Sequence, residues 1–162
     1  MEVLTEHGSS PTLGRFLLFE TRELCGLRDL PSLSTHFALF TAFDQSDVST
    51  NEMREILRIL LRKGLAYACC WGEDCERWHD AIDNERAIFD LKNFGSTESH
   101  DVVMTTWHEG EPLTDALFFF GRLALPTSRY AEECIDYVIA CSPNYTDVVR
   151  DAFRREPLPK NL

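Results

Sequence analysis

Cys75 and His79 stand four residues apart, so on a helix both side chains point to the same flank. If Cys70 and His108 approach from neighbouring strand ends, the four make a thiolate and imidazole set of the size zinc takes. Structural zinc sites usually carry paired CxxC or HxxxH elements, and here a lone CxxxH stands in their place. The plainer reading packs Cys75 inward and leaves His79 at the helix boundary. The same residues suggest a second chemistry, in which Cys75 is a nucleophile near a helix N-terminus with His108 or His79 as its base. Glu73, Asp74 and Glu76 surround that sulfur, and nearby anions disfavour a thiolate. Serine hydrolysis has no GxSxG elbow to rest on. Magnesium could be held by carboxylates, but no DxD follows a strand. No cofactor is expected in the leading reading, and zinc belongs to the alternative.

The charge pattern points elsewhere. Between Glu73 and Asp115 lie twelve acids and three bases, so this segment carries −9 of the chain's formal −11. A polyphosphate would be repelled there and a basic protein attracted, which disfavours DNA and RNA as partners. Trp71, Trp78 and Trp107 fall in or beside that acidic half, and aromatic anchors ringed by acids suit a basic partner. Arg54, Arg58 and Arg62, four apart on one helix face, read as a solvated row with Glu52 and Glu55 nearby. Neither GxGxxG nor GxxxxGK[ST] occurs, so nucleotide phosphates have no glycine cradle.

The elements that must position these residues follow from periodicity. Residues 15–20 (RFLLFE) and 36–43 (HFALFTAF) are short apolar runs and read as strands. Ser49 and Glu52 form a capping box ahead of the stripe Met53, Ile56, Leu57, Leu60 and Leu61. Gly64 supplies the stop, which predicts a helix over 50–63. Residues 65–71 (LAYACCW) are apolar on both faces, the pattern of a central parallel strand covered on each side. Asp74 then caps a helix over 75–91, with Trp78 on its inward stripe, and residues 95–100 form a polar loop. A strand over 101–107, a helix after Pro112 capped by Glu111 or Thr114, a strand over 135–141 and a helix opening at Ser142 and Pro143 complete the alternation.

This order predicts one three-layer α/β domain over residues 1–162, Rossmann-like, with a mainly parallel sheet of about five strands. Loose ends are expected over 1–14 and 156–162. An apolar fraction of 44% with 18 aromatic residues fills one core. No apolar run spans a bilayer, and Met1 to Arg15 lacks an export h-region, so a cytoplasmic protein is expected. Its six cysteines then read as thiols, with Cys69, Cys134 and Cys141 buried in or beside strands. In such a sheet ligands bind at the carboxyl ends of the strands. Those ends bring together Asp44, Gln45, Ser46 and Asp47, then Trp71 to Cys75, then His108 to Glu111, then Ser142.

Two of these stretches, residues 67–79 (YACCWGEDCERWH) and 104–120 (MTTWHEGEPLTDALFFF), resemble segments of a small bacterial domain family of unknown function. That resemblance implies no activity, ligand or catalytic residue. In size and charge alone the chain is also similar to toxin-neutralising immunity proteins. The expectation is a noncatalytic acidic interaction module that neutralises or regulates a basic protein. Its contact surface is Trp71, Glu73, Asp74, Trp107, His108, Glu109 and Glu111, and it requires the tips bearing Trp71 and Trp107 to share a rim. The alternative is a metal- or thiol-dependent enzyme at the same edge, with Cys75 and His108 catalytic or Cys70, Cys75, His79 and His108 as ligands.

Overall fold

A computed structural model describes residues 1–6, 14–44, 47–94 and 102–155. Six strands, β1 (Glu2–Glu6), β2 (Arg15–Glu20), β3 (His36–Ala42), β4 (Leu65–Trp71), β5 (Met104–His108) and β6 (Cys134–Cys141), form one sheet in the order β1-β2-β6-β3-β4-β5. The five strands β2 to β6 run parallel, as expected, and β1 adds an antiparallel edge. The expectation of a loose segment over 1–14 is thus corrected at Glu2–Glu6. Residues 7–13, the polar loop at 95–100 and the tail at 156–162 lie outside the described residues, as do Gln45 and Ser46.

The helices are α1 (Thr50–Arg62), α2 (Cys75–Phe94), α3 (Leu113–Arg122), α4 (Ser128–Ala131) and α5 (Thr146–Arg155), joined by 3-10 turns at Leu24–Asp29 and Pro143–Tyr145. Strand alternation sorts the core into two layers. Leu39, Ala68, Cys70 and Val138 face the Leu24–Asp29 turn, α1 and α2, while Phe40, Cys69, Tyr67 and Ile139 face α3 and α5. Burial on both faces is what the unbroken apolar run of β4 requires, and its first six residues are all buried.

Local signals act as their chemistry dictates. The Ser49 side chain accepts the Glu52 N–H at 3.2 Å, and Gly64 follows α1 at φ +97°. Neither Glu111 nor Thr114 caps α3. Pro112 takes that position, and its carbonyl accepts the N–H groups of Asp115 and Ala116 at 3.0 and 3.3 Å. Strand β5 pairs from Tyr67↔Met104 to Trp71↔His108, so it starts later than predicted and includes His108.

The arginine row on α1 requires a further correction. Arg58 donates to both carboxylate oxygens of Glu85 on α2 at 2.8 and 3.3 Å, and Arg54 lies 3.4 Å away. Glu85 is 2% exposed, so two of the three arginines neutralise a buried acid instead of facing only water. Among the described residues no helix is long and apolar enough to cross a membrane.

Candidate functional site

At the carboxyl ends of β3 to β6 the structure has a cleft of about 450 Å³. Asp44 follows β3, Trp71 and Glu73 come with β4, Glu109 and Glu111 follow β5, and Tyr145 comes from the turn after β6. Its opening follows from the topology. The chain leaves β4 for α2 on one side of the sheet and leaves β5 for α3 on the other, so adjacent connections diverge.

Hydrogen bonds fix its walls. The Trp71 indole N–H donates to the Glu111 carbonyl at 2.8 Å, and its ring meets Tyr145 edge-on with centroids 5.1 Å apart. His108 Nδ1 lies 2.8 Å from Glu111 Oε2, and the imidazole packs on Phe119 at 4.8 Å. The Glu109 carboxylate accepts the Asp74 N–H at 3.0 Å, joining the two loops across the mouth. Asp74 also pairs with Arg77 at 2.7 Å.

Around this rim Gly72, Asp74 and Gly110 all have positive φ. Gly72 is obligatory, since at φ +120° an added Cβ would meet the Phe43 carbonyl oxygen at 2.0 Å. Asp74, at φ +61°, is a non-glycine residue in a costly conformation, and such strain collects at binding sites. Four carboxylates line the cleft, and no lysine or arginine does among the described residues.

The predicted contact surface divides. Trp71, Glu73, Glu109 and Glu111 line the cleft, and Asp74 closes its mouth. Trp71 and Trp107 do share a rim on neighbouring strands, but Trp107 is paired with Cys70 and Trp71 with His108. Trp107 therefore points to the α2 side, where it stacks on His79 at 4.4 Å and stays 46% exposed. His108, the next residue, points to the α3 side and is buried beneath the Glu111 loop. Sequence reasoning left Asp44 and Tyr145 out of the contact surface. Asp44 was visible among the strand ends, and the signal for Tyr145 was the Ser142-Pro143 turn that carries it over the edge.

The same alternation undoes the zinc and thiol alternatives as drawn. Cys70 and Cys75 are fully buried in the layer under α1 and α2, whereas the His108 imidazole lies across the sheet. What meets the Cys75 thiol is the main chain of His108. Burial, reinforced by Glu109 and Glu76, pushes that thiol above its ordinary pKa despite the backbone donor, which is the wrong direction for a nucleophile. Among the described residues no group of three or more His, Cys, Asp and Glu side chains is placed to hold a metal ion.

A family described as a domain of unknown function (DUF7684) matches residues 20–150. The chain belongs to the DUF7684 family. The DUF7684 span holds every cleft residue and leaves out β1 and nearly all of β2, so the site lies wholly in the shared part. No curated protein and no solved structure matches the chain.

Proposed function

We propose that the protein is a small acidic, noncatalytic interaction module, working in the cytoplasm, that neutralises or regulates a basic protein partner in the manner of an immunity protein. The cleft carries this reading. Four carboxylates face a space of about 450 Å³ whose wall is the indole of Trp71 and the phenol of Tyr145. A lysine or arginine side chain inserted there gains the carboxylates' field and the face of an aromatic ring, the latter worth about 0.5–2 kcal/mol. An anionic or phosphorylated ligand meets only repulsion from the same groups. Glu109 and Glu111 are already held by Asp74 and His108, so the site is preorganised and little ordering is left to be done on binding.

Calorimetry with oligoarginine, oligolysine and oligoglutamate peptides at low salt tests the reading. The two cationic peptides should bind with affinity that falls as salt rises, and oligoglutamate should not bind. Glu73→Lys should weaken oligoarginine about tenfold or more, as expected for reversing an exposed charge in a site that adds several others. Trp71→Leu should weaken it further than Trp71→Phe. Binding that ignores both salt and Glu73→Lys would show that the cleft does not select cations.

A further inference from the structure

We propose that β5 is a docking edge, and that an extended basic segment of the partner protein adds to the sheet beside it as a seventh strand. Among the described residues β5 ends the sheet, so the backbone groups on its outer side face no strand.

The two edges of the sheet differ in the features that prevent such pairing. β1 has an irregular register between Val3 and Thr5 and bears acids, of which Glu2 is fastened to Arg150 at 2.8 Å. Bulges and charges are how sheets discourage unwanted strands. β5 (MTTWH) has an unbroken register against β4, no aspartate, glutamate, lysine or arginine, and neither proline nor glycine. Its two threonines and tryptophan favour the extended conformation. Met104 and Trp107 are 40% and 46% exposed, so apolar side chains stand ready beside the open backbone.

Charge decides between the possible occupants. On α2, Asp83 accepts from Thr105 at 3.1 Å, and the exposed Glu76 lies two turns earlier on the same face of that helix. The base on that flank of α2, Arg86, has its guanidinium over the Phe89 ring at 5.7 Å. A second copy would set these acids against their own kind, whereas a basic strand meets them with opposite charge. The inference rests on the basic partner proposed above, and it assigns that partner a binding mode and Trp107 a role that the cleft does not give it. A partner that adds to β5 reaches the cleft at the strand's carboxyl end without a break, because Glu109 and Glu111 follow His108 directly.

Amide hydrogen exchange of the whole protein, with a short synthetic peptide alternating lysine and threonine, tests the mode. At saturation the amides of Met104–His108 not already bonded to β4 should slow by about tenfold or more. The same peptide with adjacent central prolines, and its glutamate counterpart, should give no slowing. Met104→Lys with Trp107→Lys should abolish the effect, with a cooperative melt and parent-like slow exchange of the β3 and β6 amides showing that the sheet is intact. Protection confined to the cleft loops would overturn the strand mode and leave the cleft reading standing. Protection of β5 that survives Glu73→Lys would keep the strand mode even if the cleft failed its own test. A dimer by sedimentation, with β5 protected in the absence of peptide, would assign the edge to a second copy instead and overturn the proposal, as would no protection anywhere.

Discussion

Asp136 is fully buried on β6, and replacing it with asparagine is the sharpest test of how this sheet is held. Its carboxylate accepts from Arg15 on β2 through Nε and, at 3.4 Å, through Nη2, and from the Ser34 backbone N–H ahead of β3 at 2.7 Å. Those contacts clamp the last strand between two strands far earlier in the chain. Asparagine keeps the shape but turns one acceptor oxygen into a donor, which must face either Arg15 or Ser34. One hydrogen bond to a charged group is lost, about 1.5–3 kcal/mol, and a buried donor is left unpaired, about 1–3 kcal/mol. Arg15 is half exposed and can turn to water, so the net loss should be about 2–4 kcal/mol. In a chain of 162 residues that lowers Tm by about 5–15 °C.

The pH dependence carries a sign. Burial alone would raise the Asp136 pKa, but the bonds from Arg15 and Ser34 outweigh it and hold the carboxyl below its ordinary 3.8. A depressed folded pKa contributes stability that is complete above the unfolded value and disappears as pH falls through the folded one. The gap between parent and Asp136→Asn, measured by urea unfolding, should therefore stay flat from neutral pH to about 5 and close below about 4. A gap under about 0.5 kcal/mol at neutral pH, or one that widens on acidification, would refute the clamp.

Glu85→Gln should destabilise the protein more than Glu55→Gln, because Glu85 is 2% exposed between two arginines and Glu55 meets Arg28 at 65% exposure; chemical denaturation ranks them. Thiol titration at mildly alkaline pH should find at most one accessible group in the native protein, Cys25, and six after unfolding, since the other five are buried and burial pushes Cys69 and Cys134 up to about 12. Rapid modification of Cys75 would revive the nucleophile. Gly72→Ala should lower both Tm and oligoarginine affinity, because the new methyl group displaces the Phe43 carbonyl beside the cleft. Unchanged values for both would show that this turn does not shape the site.

What was legible in the sequence is what local physics decides. The LAYACCW run shows a strand covered on both faces, and the capping box at Ser49 with Gly64 as the stop brackets α1 within a residue. The carboxyl-edge rule then placed Trp71, Glu73, Glu109 and Glu111 together before any contact was known. Features set by distant partners were not legible. EVLTE is too short and too acidic to announce β1, whose reason to be a strand is β2. Arg54 and Arg58 look solvated until α2 brings Glu85 beneath them. The position of β6 between β2 and β3 depends on pairing across about a hundred residues to β3 and more than that to β2, for which Asp136, a lone acid among apolar neighbours, was the one local sign.

The split of the rim into two faces has a consequence for any partner. Side chains alternate along a strand, so Trp107 and His108 cannot serve one pocket, and a ligand confined to the cleft leaves Trp107 untouched. A rigid globular partner docking on the α3 side would meet Trp71 and Tyr145 but pass over the sheet edge. A chain that runs along β5 passes Trp107 on the strand and then comes to the cleft, because Glu109 and Glu111 follow His108 directly. The acids are distributed in the same way, with Asp83 beside β5 on one side and Glu109 and Glu111 at its end. A strand entering near Met104 stays in a negative field until a basic side chain turns into the cleft. On this geometry Trp71→Leu and Trp107→Lys should weaken an extended basic partner together, while a single arginine side chain supplied as a small molecule should register the loss of Trp71 alone.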